Sequence, residues 1–165
     1  MTDILYSTRV SATGGRRGVI RSEDGVLDLK LAIPKELGGM GGATNPEQLF
    51  AGGYAACFEN ALFRVARQSG HHFADGDVEV VGEIGLSRNE ADAFVLHAKL
   101  AVTIAGVDQA TGQDRRRRKE GYVVARVVGV DRATAETLVR GADAICHYSN
   151  AVRGNVDVVK AVTVR

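Results

Sequence analysis

Two cysteines are the residues of this chain whose chemistry depends most on their surroundings. Cys57 falls in an apolar stretch, and Cys146 lies 89 positions later, followed by His147 and the polar segment Tyr148-Ser149-Asn150. Neither belongs to a CxxC pair, and two cysteines so far apart are not the framework of a small secreted domain. Taken alone, Cys57 reads as an inert core thiol: cysteine is among the most buried residue types, and burial raises its pKa above the free value of about 8.5. A reactive Cys57 requires a positive partner from elsewhere in the chain. Cys146 shifts that balance, because a reducing cytosol disfavours a static disulfide and two cysteines on packed helices then point to a reversible catalytic or sensing pair. Periodicity leaves open whether the two sulfurs meet.

The elements that must position these thiols are two helices. Asn45 with Gln48, or Thr44 with Glu47, supplies a capping box, and Pro46 suits the first helical position. From there Leu49, Phe50, Tyr54, Cys57, Phe58, Ala61, Leu62 and Val65 run on to a stop at Gly70. This helix is apolar on almost every face up to Phe58, the mark of a helix in the middle of a fold. Gly52 and Gly53 inside it each cost roughly 1 kcal/mol against alanine, which predicts a closely packed backbone beside them. The second helix begins near Asp131, with Ala135, Leu138, Val139, Ala142, Ile145 and Cys146 at helical spacing.

Strands fill the rest. Leu27, Leu29, Leu31 and Ile33 alternate with Asp28, Lys30 and Ala32, and the turn signals Gly14-Gly15 and Asp24-Gly25 divide this region into a three-strand meander. Two further strands, 77–87 and 94–104, flank a polar turn at Asn89 to Asp92, and a Val-rich strand runs from Val156 to Val164. Gly106-Val107-Asp108-Gln109-Ala110-Thr111 recurs almost unchanged as Gly129-Val130-Asp131-Arg132-Ala133-Thr134. One near-copy is no solenoid; it reads as a local duplication that inserted a basic loop and a strand-like run, Tyr122 to Val128.

Composition limits the function classes. With 165 residues, 45% hydrophobic and 25% charged, the chain has the size and balance of one soluble globular domain. Five of its 21 basic residues form the run Arg115 to Lys119; the remaining body carries 16 basic against 20 acidic residues, a sign that repels nucleic acid and anionic lipid. That run reads as a solvated loop. The first ten residues lack the charged and apolar regions of a secretory leader, and a cytoplasmic location is expected. Gly38 to Gly42 is followed by no Lys-Ser/Thr and is not a phosphate loop, and His71, His72, His97 and His147 show no metal spacing with the cysteines.

Thr44-Asn45-Pro46-Glu47-Gln48-Leu49-Phe50, running on to Tyr54-Ala55-Ala56-Cys57-Phe58, resembles the first cysteine motif of the organic hydroperoxide resistance (Ohr) proteins of the Ohr/OsmC family. Cys146-His147-Tyr148-Ser149-Asn150-Ala151-Val152-Arg153-Gly154-Asn155 resembles the second, usually C-P-Y-S-N-A-T-R-G-N. Ala12-Thr13-Gly14-Gly15-Arg16 and Gly25-Val26-Leu27-Asp28-Leu29 match the amino-terminal strands. The resemblance covers nearly the whole chain outside residues 106 to 128.

It implies a single α+β domain over residues 1–165 with an insertion at about 106–128, antiparallel sheets around two long helices, and an intertwined homodimer. It also implies a thiol peroxidase acting on organic hydroperoxides, with Cys57 peroxidatic and Cys146 resolving. Arg16 would hold the thiolate by charge, and Glu47 would orient Arg16 through a carboxylate pair. Read without the motif, Arg16 is a solvated turn residue beside Arg17, and Glu47 caps its helix. No metal, haem or flavin is implied; the reductant would be an external dithiol, a lipoylated protein. Two alternatives stand beside this reading: an OsmC-type peroxidase of broader peroxide use, and a redox-sensing or nucleic-acid-binding module that uses the basic loop. His147 departs from the family pattern by standing where proline is usual.

Overall fold

In the computed structural model, which describes residues 3–105 and 129–164, the turn chemistry of the first fifty residues closes a small antiparallel meander. Strands β1 (Val10–Thr13), β2 (Val19–Ser22) and β3 (Asp28–Lys30) pair in that order, with Val10 opposite Ser22 and Ile20 opposite Leu29. A single 3-10 turn, Gly15–Arg17, links the first two. The expected alternation from Leu27 to Ile33 yields only three strand residues: Leu31 leaves β2 to bridge Thr44, and Ala32 donates its N–H to the Thr44 carbonyl at 2.8 Å. The chain divides into two compact units within the helix that follows, residues 1–50 and residues 51–165.

Helix α1 (Pro46–Gln68) starts and stops where its caps require. The Asn45 side chain accepts from the Gln48 N–H at 2.9 Å, and Gln48 reaches back to the Thr44 hydroxyl rather than to the Asn45 backbone. At the other end Gly70, at φ 79°, lets His71 donate to Ala66 and Gly70 to Arg67, the paired bonds of a Schellman cap. The buried face of α1 is Tyr54, Phe58, Ala61, Leu62 and Ala66, at helical spacing.

In the second unit, β4 (Val78–Arg88) and β5 (Phe94–Ile104) form an eleven-residue antiparallel hairpin. Its turn is built by the Asn89 side chain, which accepts from the N–H groups of Ala91 and Ala93, with Asp92 at φ 58°. Ala98, Leu100, Val102 and Ile104 bury one face of β5 while Lys99 stays outside. Helix α2 (Arg132–Ile145) is capped by Asp131, whose carboxylate accepts from the Thr134 N–H at 2.7 Å. After Cys146 a six-residue helix, α3 (His147–Val152), precedes β6 (Val158–Val164).

Three expectations need correction. Strand β6 runs parallel to β5, with Leu100 opposite Lys160, so the sheets are not antiparallel throughout. The connection between β5 and β6 contains α2 and α3, and such a helical crossover returns the chain in the same direction. The segment after Cys146 is helical rather than a tight polar stretch. The close backbone approach expected beside Gly52 and Gly53 is found at their neighbour Ala51, but the glycine that permits it lies on β4: a Cβ on Gly82 would lie 2.6 Å from the Ala51 carbonyl oxygen. Gly53 instead faces the Tyr148 ring, and Gly52 meets nothing. The expected insertion, with its strand-like run at 122–128, lies outside the described residues.

Candidate active site

Four residues were singled out for chemistry, and the structure places them as two pairs. In the first unit, the 3-10 turn presents Arg16 and the first turn of α1 presents Glu47. Their side chains meet through two parallel hydrogen bonds, Nη1 to Oε2 at 2.8 Å and Nη2 to Oε1 at 2.6 Å. This fork-to-fork geometry fixes the guanidinium plane as well as its position. The Glu47 hydrogen bond raises the Arg16 pKa, and the Arg16 hydrogen bond lowers that of Glu47. Arg16 keeps 41% of its side chain exposed against 17% for Glu47, so the pair is a partly solvated one, held by geometry more than by energy.

In the second unit, α1 and the junction between α2 and α3 bring the thiols together. Cys57 Sγ lies 3.2 Å from Cys146 Sγ, both are free, and Cys146 is 1% exposed while Cys57 is half-buried. Burial pushes the Cys57 thiol up, and Cys146 adds to that through its hydrogen bond and its charge when ionised. The backbone N–H groups of Tyr148 and His147 pull the other way. The net direction is upward, so these surroundings favour the protonated thiol.

Packing fixes the junction that carries Cys146. Tyr54 of α1, fully buried, shares a 2.9 Å hydrogen bond with Ser149 of α3 and stacks on Tyr148 with ring centroids 5.8 Å apart. Burial raises the Tyr54 phenol, which keeps it neutral beside Ser149. Behind them Asp143 of α2 pairs with Arg153 at 3.3 Å and with Lys160 of β6 at 3.2 Å. Burial alone would lift Asp143, but the Ser149 hydrogen bond and the charges of Lys160 and Arg153 outweigh it and its pKa falls. Sequence reasoning assigned none of these positions a role, although Tyr54, Ser149 and Arg153 all belong to the two cysteine motifs. Their signal was the motif itself; the contacts between them required the fold.

Residues 39–159 match the family described as OsmC-like protein, nearly three-quarters of the chain. The chain belongs to the Ohr/OsmC family. It is 40% identical over 157 residues to the organic hydroperoxide resistance protein of Xanthomonas axonopodis pv. citri (strain 306), covering 94% of this chain and 92% of that one. It is likewise 40% identical over 156 residues to organic hydroperoxide resistance protein OhrB of Bacillus subtilis (strain 168), covering 93% and 95%. A crystal structure of an organic hydroperoxide resistance protein from Legionella pneumophila superposes with a TM-score of 0.78 at 41% identity, over 98% of this chain and 99% of that chain. The α+β architecture is therefore that of Ohr/OsmC proteins. Among the described residues, no group of three or more His, Cys, Asp or Glu side chains is placed to hold a metal ion, and no helix is long and apolar enough to cross a membrane.

Proposed function

We propose that this Ohr/OsmC protein is a cysteine-based thiol peroxidase that reduces organic, lipid-type hydroperoxides to alcohols in defence against oxidative stress. The observation that carries the reading is the pair of free thiols, Cys57 and Cys146, at 3.2 Å. Closing that gap to the roughly 2.05 Å of a disulfide needs only a small movement of side chains.

The Cys57 thiolate attacks the distal oxygen of the hydroperoxide; an S–O bond forms, the O–O bond breaks, and the alcohol leaves. The Cys57 sulfenic acid condenses with the Cys146 thiol to a disulfide and water. An external dithiol, of the lipoyl type carried by a protein, then reduces the disulfide by exchange. Because burial favours the protonated Cys57, the first step needs a cation, and the proposed source is Arg16 aimed by Glu47. The half-buried side chains of Leu49 and Phe50 favour a greasy substrate over hydrogen peroxide. We take the chain to act as one Ohr/OsmC-like domain, since the family match crosses the division between its two units, and to work as a homodimer in the cytoplasm.

The test is a steady-state assay with dihydrolipoamide that compares cumene hydroperoxide with hydrogen peroxide. The expected result is turnover with a clear preference for cumene hydroperoxide. Equal use of both would move the protein to broader peroxide use, and no turnover with either would end the peroxidase reading.

A further inference from the structure

The sulfur of Cys57 has a third neighbour that the peroxidase chemistry above leaves unused. His147 opens α3, and both of its ring nitrogens lie 3.4 Å from Cys57 Sγ, nearly as close as the Cys146 sulfur at 3.2 Å. The imidazole is exposed while Cys57 is half-buried, so the thiol meets the ring on a side open to solvent. The ring lies against Tyr148, with centroids 5.5 Å apart, and Tyr148 in turn stacks on buried Tyr54. Among the described residues, the titratable groups around it are the Cys57 thiol from α1 and, from its own segment, the Cys146 thiol and the Tyr148 phenol. The charged side chains of α2 and α3 described above, Asp143 and Arg153, pair with each other and with Lys160.

A proline at this position, usual in the motif, offers no group that takes up or gives back a proton near neutral pH. An imidazole does both. We propose that His147 is a catalytic residue of this chain: it takes the proton of the Cys57 thiol, holds the thiolate as an imidazolium–thiolate pair, and returns that proton to the departing alkoxide. The balance closes within the site. Thiol and neutral imidazole become thiolate and imidazolium. The thiolate then takes the distal OH of the hydroperoxide as sulfenic acid, and the alkoxide, leaving with the O–O electron pair, receives the imidazolium proton as the alcohol. The hydroperoxide is the oxidant and Cys57 is oxidised. A sulfur equidistant from both nitrogens lies over the ring and off either in-plane lone pair, so the first transfer rests on that 3.4 Å proximity and on a turn of the exposed ring about its side-chain bonds; the second rests on the peroxidase reading.

Alkylation of Cys57 by iodoacetamide separates the two, because it reads the thiolate without any peroxide. In a Cys146→Ser background, the protein with His147 is expected to keep reacting at about pH 6, while the His147→Gln protein loses roughly tenfold there and stays within about twofold at about pH 9. His147→Pro, which installs the residue usual in the family, also removes the His147 backbone N–H that favours the thiolate, and is expected to lose at least as much as His147→Gln at about pH 6. Because the ring is exposed, neither change removes a buried side chain. Superimposable pH profiles, or a drop uniform across pH, would overturn the imidazolium–thiolate pair. Single-turnover reduction of cumene hydroperoxide at about pH 6, divided by the alkylation rate of the same protein at that pH, corrects for the thiolate present and reads the second transfer. A lower ratio for His147→Gln supports proton return, and equal ratios overturn it. Failure of the His147-containing protein to reduce cumene hydroperoxide at all would remove the peroxidase reading and the proton return with it, while the alkylation profile would still decide the pair.

Discussion

The first unit orders its side chains mainly by charge and turn geometry, whereas the second orders them by packing. In the meander, most strand positions are exposed, and the ties are ion pairs such as Arg21 with Asp28 at 2.9 Å and Arg16 with Glu47 at 2.6 Å. In the second unit Tyr54, Phe58, Leu62, Leu100, Ile104 and Leu138 are fully buried. Exposed ion pairs are worth about 0–1 kcal/mol, while each large apolar side chain buried contributes roughly 1.5–3 kcal/mol. The two proposed halves of the chemistry therefore differ in robustness. The guanidinium can be re-aimed without unfolding anything, but the thiol pair cannot be moved without disturbing a core.

The largest effect tests the thiol pair directly. Cys57→Ser is expected to abolish peroxide reduction, and Cys146→Ser to consume about one equivalent and then stall with an oxidised Cys57, as followed by peroxide consumption and mass spectrometry. Near-normal turnover by the Cys57→Ser protein would sink the mechanism.

Next comes the contrast in packing. Leu100→Ala removes a fully buried side chain of β5 and is expected to cost about 2–5 kcal/mol in denaturant unfolding. Val19→Ala, at a position already 37% exposed in β2, should cost much less, within about 1 kcal/mol. Equal costs would mean that the meander is held by burial after all.

The charge pair should show its influence in the thiol's titration rather than in stability. Arg16→Ala is expected to move the Cys57 pKa upward and slow the peroxide step about tenfold or more, whereas Arg17→Ala, one residue along the same turn, should change little. Thiolate absorbance against pH decides between them. The same effect from both substitutions would remove Arg16 from its proposed role.

The smallest effect is in acid. Glu47 and Asp143 both have lowered pKa values in the folded protein, Glu47 chiefly through Arg16 and Asp143 because Ser149, Lys160 and Arg153 outweigh its burial. Their contribution is present above the ordinary carboxylate range of about 4 and is lost as pH falls through the lowered values. Urea midpoints measured through that range should fall less steeply for Glu47→Gln and Asp143→Asn than for the unaltered protein. Parallel curves would show that neither carboxylate is linked to folding.

Much of this arrangement was legible in the residues. The cap at Asn45, the stop at Gly70 and the start of α2 at Asp131 follow from local hydrogen bonding, which short sequence windows contain. The placing of Cys57 on α1 and of Cys146 at the end of α2 followed from apolar spacing, although their meeting depended on how those helices pack. What the sequence hid is non-local. Gly52 and Gly53 advertised a close backbone approach, yet the glycine that permits it is Gly82, on a strand thirty residues further on. The parallel pairing of β6 cannot be read from its Val-rich alternation, since either direction produces the same period. His147 was visible only as a departure from a motif; its contact with Cys57 depends on the α2–α3 junction turning back onto α1.

That crossover has a consequence for how the molecule assembles. The β4–β5 hairpin joins neighbours in sequence and can close quickly, but β6 must find β5 across a long intervening chain, and pairings of such high contact order form slowly. Cys146 lies in the intervening stretch, and Lys160 of β6 ties Asp143 on the helix just before it. Cys146, the proposed resolving thiol, thus reaches its station in the slow part of folding, after the segment carrying Cys57 has been synthesised. On the proposed mechanism, a nascent chain that met peroxide in that interval would hold an attacking sulfur with no resolving partner, exposed to the irreversible steps of sulfur oxidation.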